Sequence, residues 1–104
     1  MSKVVCLTNK KEYENFKKDH PRSVIFYGAE WCSACNDIYD LYTRIANRYS
    51  ERVTLGYVDI DECKLDFSSI PVFVTLRKGT HLNSMEGANR RRLKQLIKEV
   101  IQIK

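Results

Sequence analysis

Between residues 23 and 60 the hydrophobic period changes twice. "SVIFYG" (residues 23–28) is continuously apolar at its centre, as in a strand covered on both faces. From Cys35 onward, Ile38, Leu41, Tyr42, Ile45, Ala46 and Tyr49 recur at helical spacing and mark one apolar face of a long helix. "VTLGYVDI" (residues 53–60) returns to the strand pattern. A strand, a helix and a strand in succession specify a parallel strand pair joined by a right-handed crossover. No all-helical bundle or plain hairpin stack accommodates that order.

The flanking segments extend the unit. "VVCL" (residues 4–7) reads as a short strand. Asn9 with Glu12 three residues later resembles a capping box, opening a helix to about Lys18 that Pro21 closes off. Residues 61–69 are polar and hold at most a turn or two of helix. "VFVTLR" (residues 72–77) is a strand begun by Pro71, and "KGT" (residues 78–80) turns it into a partner, "HLNSME" (residues 81–86). Leu93, Leu96, Ile97, Val100 and Ile101 mark a final amphipathic helix. The expectation is an α/β fold: a mixed sheet with an antiparallel edge and helices on both faces. At 104 residues without repeat or linker, one domain over residues 1–104 is expected.

Charge is unevenly placed. The chain carries a net +5. Arg90, Arg91, Arg92, Lys94, Lys98 and Lys104 against Glu99 put an excess of that size in the last fifteen residues. That segment lacks aromatics, which favours a solvated helix face over a nucleic-acid or membrane-binding patch. No apolar run approaches the ~18 residues of a membrane span. The opening "MSKVVCLTNK" lacks the apolar stretch and cleavage site of a secretory signal. A reducing, cytoplasmic setting is therefore expected.

Four cysteines, Cys6, Cys32, Cys35 and Cys63, are too few and too unevenly spaced for a disulfide scaffold. Cys32 and Cys35 fall where the strand gives way to the helix. At a helix start the first backbone N–H groups are unpaired and the helix end is partly positive, so a thiolate is stabilised there. Cys35, one turn further in, is near enough for a disulfide and less exposed. This makes Cys32 the attacking sulfur and Cys35 the resolving one. Trp31 supplies an apolar surface beside them. Two other readings stay open at this point. The pair is half of a zinc site completed from Cys6, Cys63, His20 or His81, or it is chemically inert.

"AEWCSAC" after an apolar strand resembles the active-site segment of thioredoxins, usually W-C-G-P-C. The resemblance spans nearly the whole chain and is nearest to eukaryotic-type members. "VDIDEC" (residues 58–63) is similar to the family's third-strand segment, "SIPVFVTLRKG" (residues 69–79) to the cis-proline segment, and "EGANRRRL" (residues 86–93) to the entry of the last helix. It implies a thioredoxin fold with a central five-stranded mixed sheet, and thiol–disulfide exchange on protein disulfides through Cys32 and Cys35. It also implies a cis peptide at Pro71 facing the disulfide. Ile70 would offer its backbone to an extended substrate, and Gly87 and Ala88, with Trp31, would complete an apolar docking surface. A thioredoxin-reductase-like donor would recharge the pair. Two rival functions stay open: an oxidase or isomerase of the same fold, and a redox-silent adaptor that holds a partner through the fold and its basic last helix. No organic cofactor or metal is implied, and a monomer is expected. Cys63 matches an extra cysteine of some members, as a regulatory thiol or a half-buried passenger; Cys6 is expected in the core.

Four departures stand out. Phe26 replaces the family's buried aspartate six residues before the nucleophile, which leaves water or Glu30 to take the resolving thiol's proton. Ser33 and Ala34 replace Gly-Pro between the cysteines, which shifts the reduction potential, in our reading toward a more oxidising pair. The helix after "VDID" is shortened. The kinking proline of the long helix is missing, with Asp40 near its place, so a straighter helix is expected.

Overall fold

The computed structural model describes residues 3–103. Met1, Ser2 and Lys104, the last of the cations counted above, lie outside them. The elements are β1 (Val5–Leu7), α1 (Lys10–Asp19), β2 (Arg22–Gly28), α2 (Ser33–Arg48), β3 (Thr54–Asp59), β4 (Val72–Arg77), β5 (Thr80–Glu86) and α3 (Arg90–Gln102). They build one five-stranded sheet in the order β1-β3-β2-β4-β5. β3 pairs parallel with β1 and β2, while β4 pairs antiparallel with β2 and β5. This is the mixed sheet that the alternation of periods predicts.

β2 is central and buried from Ser23 to its end, which is why its sequence runs apolar without alternation. One face receives α1, whose Phe16 ring lies over Gly56 of β3. The other receives α2 and α3. Phe26 points that way and meets the rings of Tyr39 and Tyr42 from α2. The fully buried Tyr42 hydroxyl donates to the carbonyl of Gly56 at 2.7 Å and to that of Val24 at 3.2 Å, one hydrogen shared between two strands. It clamps α2 to the β2–β3 pair.

The caps follow local chemistry. Asn9 accepts from the Glu12 amide at 2.9 Å, and the Glu12 carboxylate accepts chiefly from the N–H and hydroxyl of Thr8, both at 2.8 Å, with the Asn9 amide contributing less. Those bonds hold its carboxyl below the usual carboxylate range. Its contribution to stability is present above the unfolded pKa and fades as pH falls through the folded one. Asn89 caps α3 by accepting from the Arg92 amide. The β4–β5 hairpin turns on Lys78 and Gly79, both at positive φ, in the manner of a two-residue primed turn.

One element departs from expectation. Residues 61–69 form no helix, not even a short one. A single turn after β3 is closed by two bonds, Leu65 N–H to Ile60 O at 2.8 Å and Lys64 N–H to Asp61 O at 3.3 Å. Lys64 between them is left-handed, with φ of 55°. That is a helix-terminating arrangement of the Schellman type, applied after one turn. Beyond it, Phe67 stacks on Tyr27 at 4.5 Å between ring centres and covers the sheet where a helix would have lain. Cys6 also departs from the core reading: it is exposed. β1 is an edge strand, and only Leu7 of its residues is buried. Among the described residues no helix is long and apolar enough to cross a membrane.

Replacing Tyr42 by Phe removes the clamp while keeping the ring. We expect Tyr42→Phe to lose about 1–3 kcal/mol in urea unfolding, the usual cost of leaving buried polar groups without a partner. Wild-type stability in that variant would show that the shared hydroxyl does not hold α2 down.

Candidate redox site

The site begins where β2 runs out. Gly28 ends the strand and the Ile60 amide donates to its carbonyl at 2.9 Å, so the strand end is pinned to the segment following β3. Cys32 is the N-cap of α2, with extended backbone, φ −88° and ψ 104°. Its own amide donates to Ala29 O at 3.1 Å, and its carbonyl accepts the first helical bond, from Asn36. Its sulfur occupies the acceptor position that a serine or aspartate oxygen takes in other helices: the Cys35 amide donates to Cys32 Sγ at 3.1 Å. Cys32 and Cys35 are joined in a disulfide, with Cα atoms 5.3 Å apart. Cys32 is 7% exposed and Cys35 2%. An incoming thiolate therefore meets the Cys32 sulfur first.

Trp31, directly before, is 68% exposed. A large ring so placed would swing freely, but its Nε1 donates to Asp61 Oδ2 at 2.7 Å. Asp61 is held in turn by Asp59, whose Oδ1 accepts from the amides of Asp61 at 2.8 Å and Glu62 at 3.3 Å. An aspartate side chain bonding the amide two residues on is a common turn device. Nothing in sequence ties this turn to Trp31.

Pro71 precedes β4, whose first residue Val72 pairs with Tyr27. It thus stands at the end of β2 that leads to Cys32. The Ile70–Pro71 peptide is cis, as the resemblance implies. Pro71 is buried and Ile70 half-buried. The Gly87 amide donates to Pro71 O at 2.8 Å, and Ser69 Oγ donates to Glu86 Oε2 at 3.2 Å. These bonds hold the end of β5 against the Ile70–Pro71 segment. Gly87 has φ of 90°, and a Cβ built there would meet nothing within 4 Å, so backbone conformation rather than crowding favours glycine. Ala88 is exposed beside it. Trp31, Cys32, Ile70, Pro71, Gly87 and Ala88 all lie at the same end of the sheet.

Beneath the site is an aromatic cluster. Phe26 is fully buried, with ring centres of Phe73, Tyr57, Tyr42 and Tyr39 at 4.5, 5.0, 5.1 and 6.0 Å. Tyr39 lies one turn along α2 from Cys35, on the same helix face. Burial pushes the Tyr39 hydroxyl up to about 12, helped by Cys6. Burial, then the Asp59 charge, pushes Tyr57 to about 12. Burial also drives the Tyr42 hydroxyl well above its usual value. These hydroxyls stay protonated at neutral pH, so none of them accepts a thiol proton there.

The other cysteines lie apart. Cys63 is 2% exposed and its thiol donates to Leu7 O at 3.6 Å. Burial, then the carboxylates of Glu62 and Asp59, pushes that thiol up, away from the reactive thiolate form. His20 stacks on Phe16, and His81 is an exposed residue of β5. Among the described residues no three His, Cys, Asp or Glu side chains gather where they could hold a metal.

Trp31 is the only tryptophan, so its fluorescence reports on this rim alone. Asp61→Ala should lower Trp31 anisotropy while changing stability by less than about 1 kcal/mol, the scale of one exposed hydrogen bond. Unchanged anisotropy would mean that Asp61 does not hold the ring.

Comparison with known proteins agrees with this geometry. The family model described as Thioredoxin matches residues 3–99. Thioredoxin 1 of Plasmodium falciparum is 30% identical, the alignment covering 92% of this chain and 96% of that protein. A solved structure of P. falciparum thioredoxin superposes with a TM-score of 0.85 at 28% identity, over 92% of this chain and 98% of that one. The oxidised form of mitochondrial thioredoxin 3 from Saccharomyces cerevisiae gives a TM-score of 0.81 at 28% identity, over 92% and 94%. The matched span includes the cap-forming Cys32, the bonded Cys35 and the cis-Pro71 segment. The chain belongs to the thioredoxin family and is a thiol–disulfide oxidoreductase, its Cys32–Cys35 pair fitting the family's C-x-x-C active site.

Proposed function

We propose that the chain works as a reductase of protein disulfides. The observation carrying this reading is the sulfur cap: of the two cysteines, Cys32 is the one whose sulfur accepts a helix-start amide and the one left more exposed. In the reduced protein the Cys32 thiolate attacks one sulfur of a substrate disulfide. A mixed disulfide forms and the first substrate thiolate leaves. Proton loss from Cys35 then gives a thiolate that attacks Cys32 Sγ. The second substrate thiolate departs and the Cys32–Cys35 disulfide remains. The substrate gains two electrons and the pair loses them. A thioredoxin-reductase-like donor returns them from outside, with no organic cofactor or metal on this chain.

Substrate enters as an extended segment beside Trp31, with Ile70 backbone available for strand-like hydrogen bonds and Pro71, Gly87 and Ala88 as the floor. A single copy of the chain supplies every group in this scheme, and a reducing compartment such as the cytoplasm suits it. With Phe26 where the family carries a buried aspartate, the Cys35 proton leaves through water or Glu30. Release of the mixed disulfide then follows the Cys35 thiolate fraction.

Three results are expected. The alkylation rate of Cys32 in reduced protein should titrate with a midpoint below that of a free thiol, about 8.5. A midpoint at that value would remove the activated nucleophile. Insulin reduction with dithiothreitol should vanish in Cys32→Ser, while Cys35→Ser accumulates the mixed disulfide. Equal activity in wild type and Cys32→Ser would leave an adaptor role in place of reduction. In stopped flow, mixed-disulfide release should speed up about tenfold per pH unit below the Cys35 pKa, as the thiolate fraction does. A pH-independent release would reveal a proton acceptor that the aromatic cluster lacks.

A further inference from the structure

The basic residues of α3 are exposed, as on a solvated helix face, and two of them, Lys94 and Lys98, border a cleft. α2 and α3 lie side by side on one face of the sheet. Arg90 ties the start of α3 to α2, donating to Asp37 O at 3.1 Å and pairing with Asp40 at 3.5 Å. Past this tie the helices part around a cleft of about 410 Å³. Its floor is apolar, from Leu41 and Ile45 of α2 and Ile97 of α3. Arg44 and Arg48 stand on one wall, Lys94 and Lys98 on the other, and all four are exposed. Each wall thus carries two cations one helical turn apart.

Among the described residues no carboxylate lines the cleft. Among them Arg44 pairs only with the exposed Asp40 at 3.3 Å, and Arg48 lies over the Tyr49 ring. Lys94 and Lys98 make no ion pair among the described residues. By contrast Lys17 on α1 is paired with Glu14 one turn away. Like charges facing one another across a trough repel, and the field they focus into it favours an anionic occupant.

We propose that this cleft docks an acidic segment of a partner protein, one that alternates carboxylates with apolar side chains. The two cationic walls match carboxylates on the segment's flanks, and the Leu41, Ile45 and Ile97 floor matches its apolar residues. A bare phosphate or small anion would leave that floor unused. A single-stranded nucleic acid would need stacking surfaces, and among the described residues Tyr49, already under Arg48, is the only aromatic lining the cleft. Arg44 and Arg48 lie twelve and sixteen residues along from Cys32. At 1.5 Å per residue the dock is ~18–24 Å from the redox sulfur and leaves it open.

The test is fluorescence anisotropy at low salt with a fluorescein-labelled peptide of glutamate, leucine and serine. Its glutamine counterpart and a labelled oligothymidine are run alongside. The glutamate peptide should bind and the glutamine peptide should not. Lys94→Glu/Lys98→Glu and Arg44→Glu/Arg48→Glu should each weaken binding about tenfold or more, the scale expected when paired charges are reversed at an interface. Arg91→Glu/Arg92→Glu makes the same change in net charge outside the cleft and should cost much less. Circular dichroism and Cys32 alkylation, unchanged in all three variants, confirm the fold. Equal loss in all three would make the effect one of net charge and overturn the dock. So would absence of binding, equal binding of the glutamine peptide, or tighter binding of oligothymidine with the same dependence on the cleft residues.

Discussion

Phe26 is the point at which the main elements meet. Its ring touches α2 through Tyr39 and Tyr42, β3 through Tyr57 and β4 through Phe73. Burying a ring of this size is worth on the order of 1.5–3 kcal/mol, and the edge-to-face contacts with Tyr42 and Tyr57 add to it. That packing, with the Tyr42 hydroxyl, fixes the position of α2 on the sheet. A fixed helix has a fixed first turn. The Cys35 amide is therefore aimed at one place, and the four-residue link from Gly28 brings the Cys32 sulfur to it. The sulfur's chemistry thus follows from the packing of an aromatic ring two turns away.

The same ring sets the limits of that chemistry. A carboxylate at this depth would carry a large desolvation cost, which an aromatic ring avoids. The gain is in stability and in rigidity of the helix start. The loss is a proton acceptor under the resolving thiol, and the surrounding tyrosines, held protonated well beyond neutral pH, do not replace it. On the reductase reading proposed above, attack and resolution are thereby separated. Attack depends on unpaired amides at the helix end, which the fold supplies. Resolution depends on solvent reaching a sulfur that is nearly buried.

What the sequence made legible was whatever depends on near neighbours in the chain. The strand at residues 23–28, the helical period after Cys35, the cap at Asn9 and the two thiols at the seam are all local patterns, and the coordinates agree with each. The failures share a different cause. Whether residues 61–69 continue as a helix was decided by Lys64 taking a left-handed conformation and by Phe67 finding Tyr27, a residue forty positions earlier. Cys6 looked internal because its neighbours are apolar, but β1 is an edge strand, and edge position is a property of the assembled sheet. Asp61 stood in a segment legible only as polar; its grip on Trp31 joins the ends of two strands that are adjacent only in space.

α2 connects the two ends of the molecule. Its first turn holds the redox sulfur and its last two turns form one wall of the cationic cleft, so any partner seated in the cleft is held at a set distance from Cys32. Spanning ~18–24 Å takes roughly five to seven extended residues at about 3.3–3.6 Å each. A target with an acidic segment that far from its disulfide can occupy both places at once. The second contact then becomes intramolecular, and its effective concentration reaches the millimolar range for a short linker. A weak dock of this kind selects among disulfides by what lies beside them in the chain. It does so without altering the sulfur itself, because the helix that carries the dock is the one whose position Phe26 already fixes.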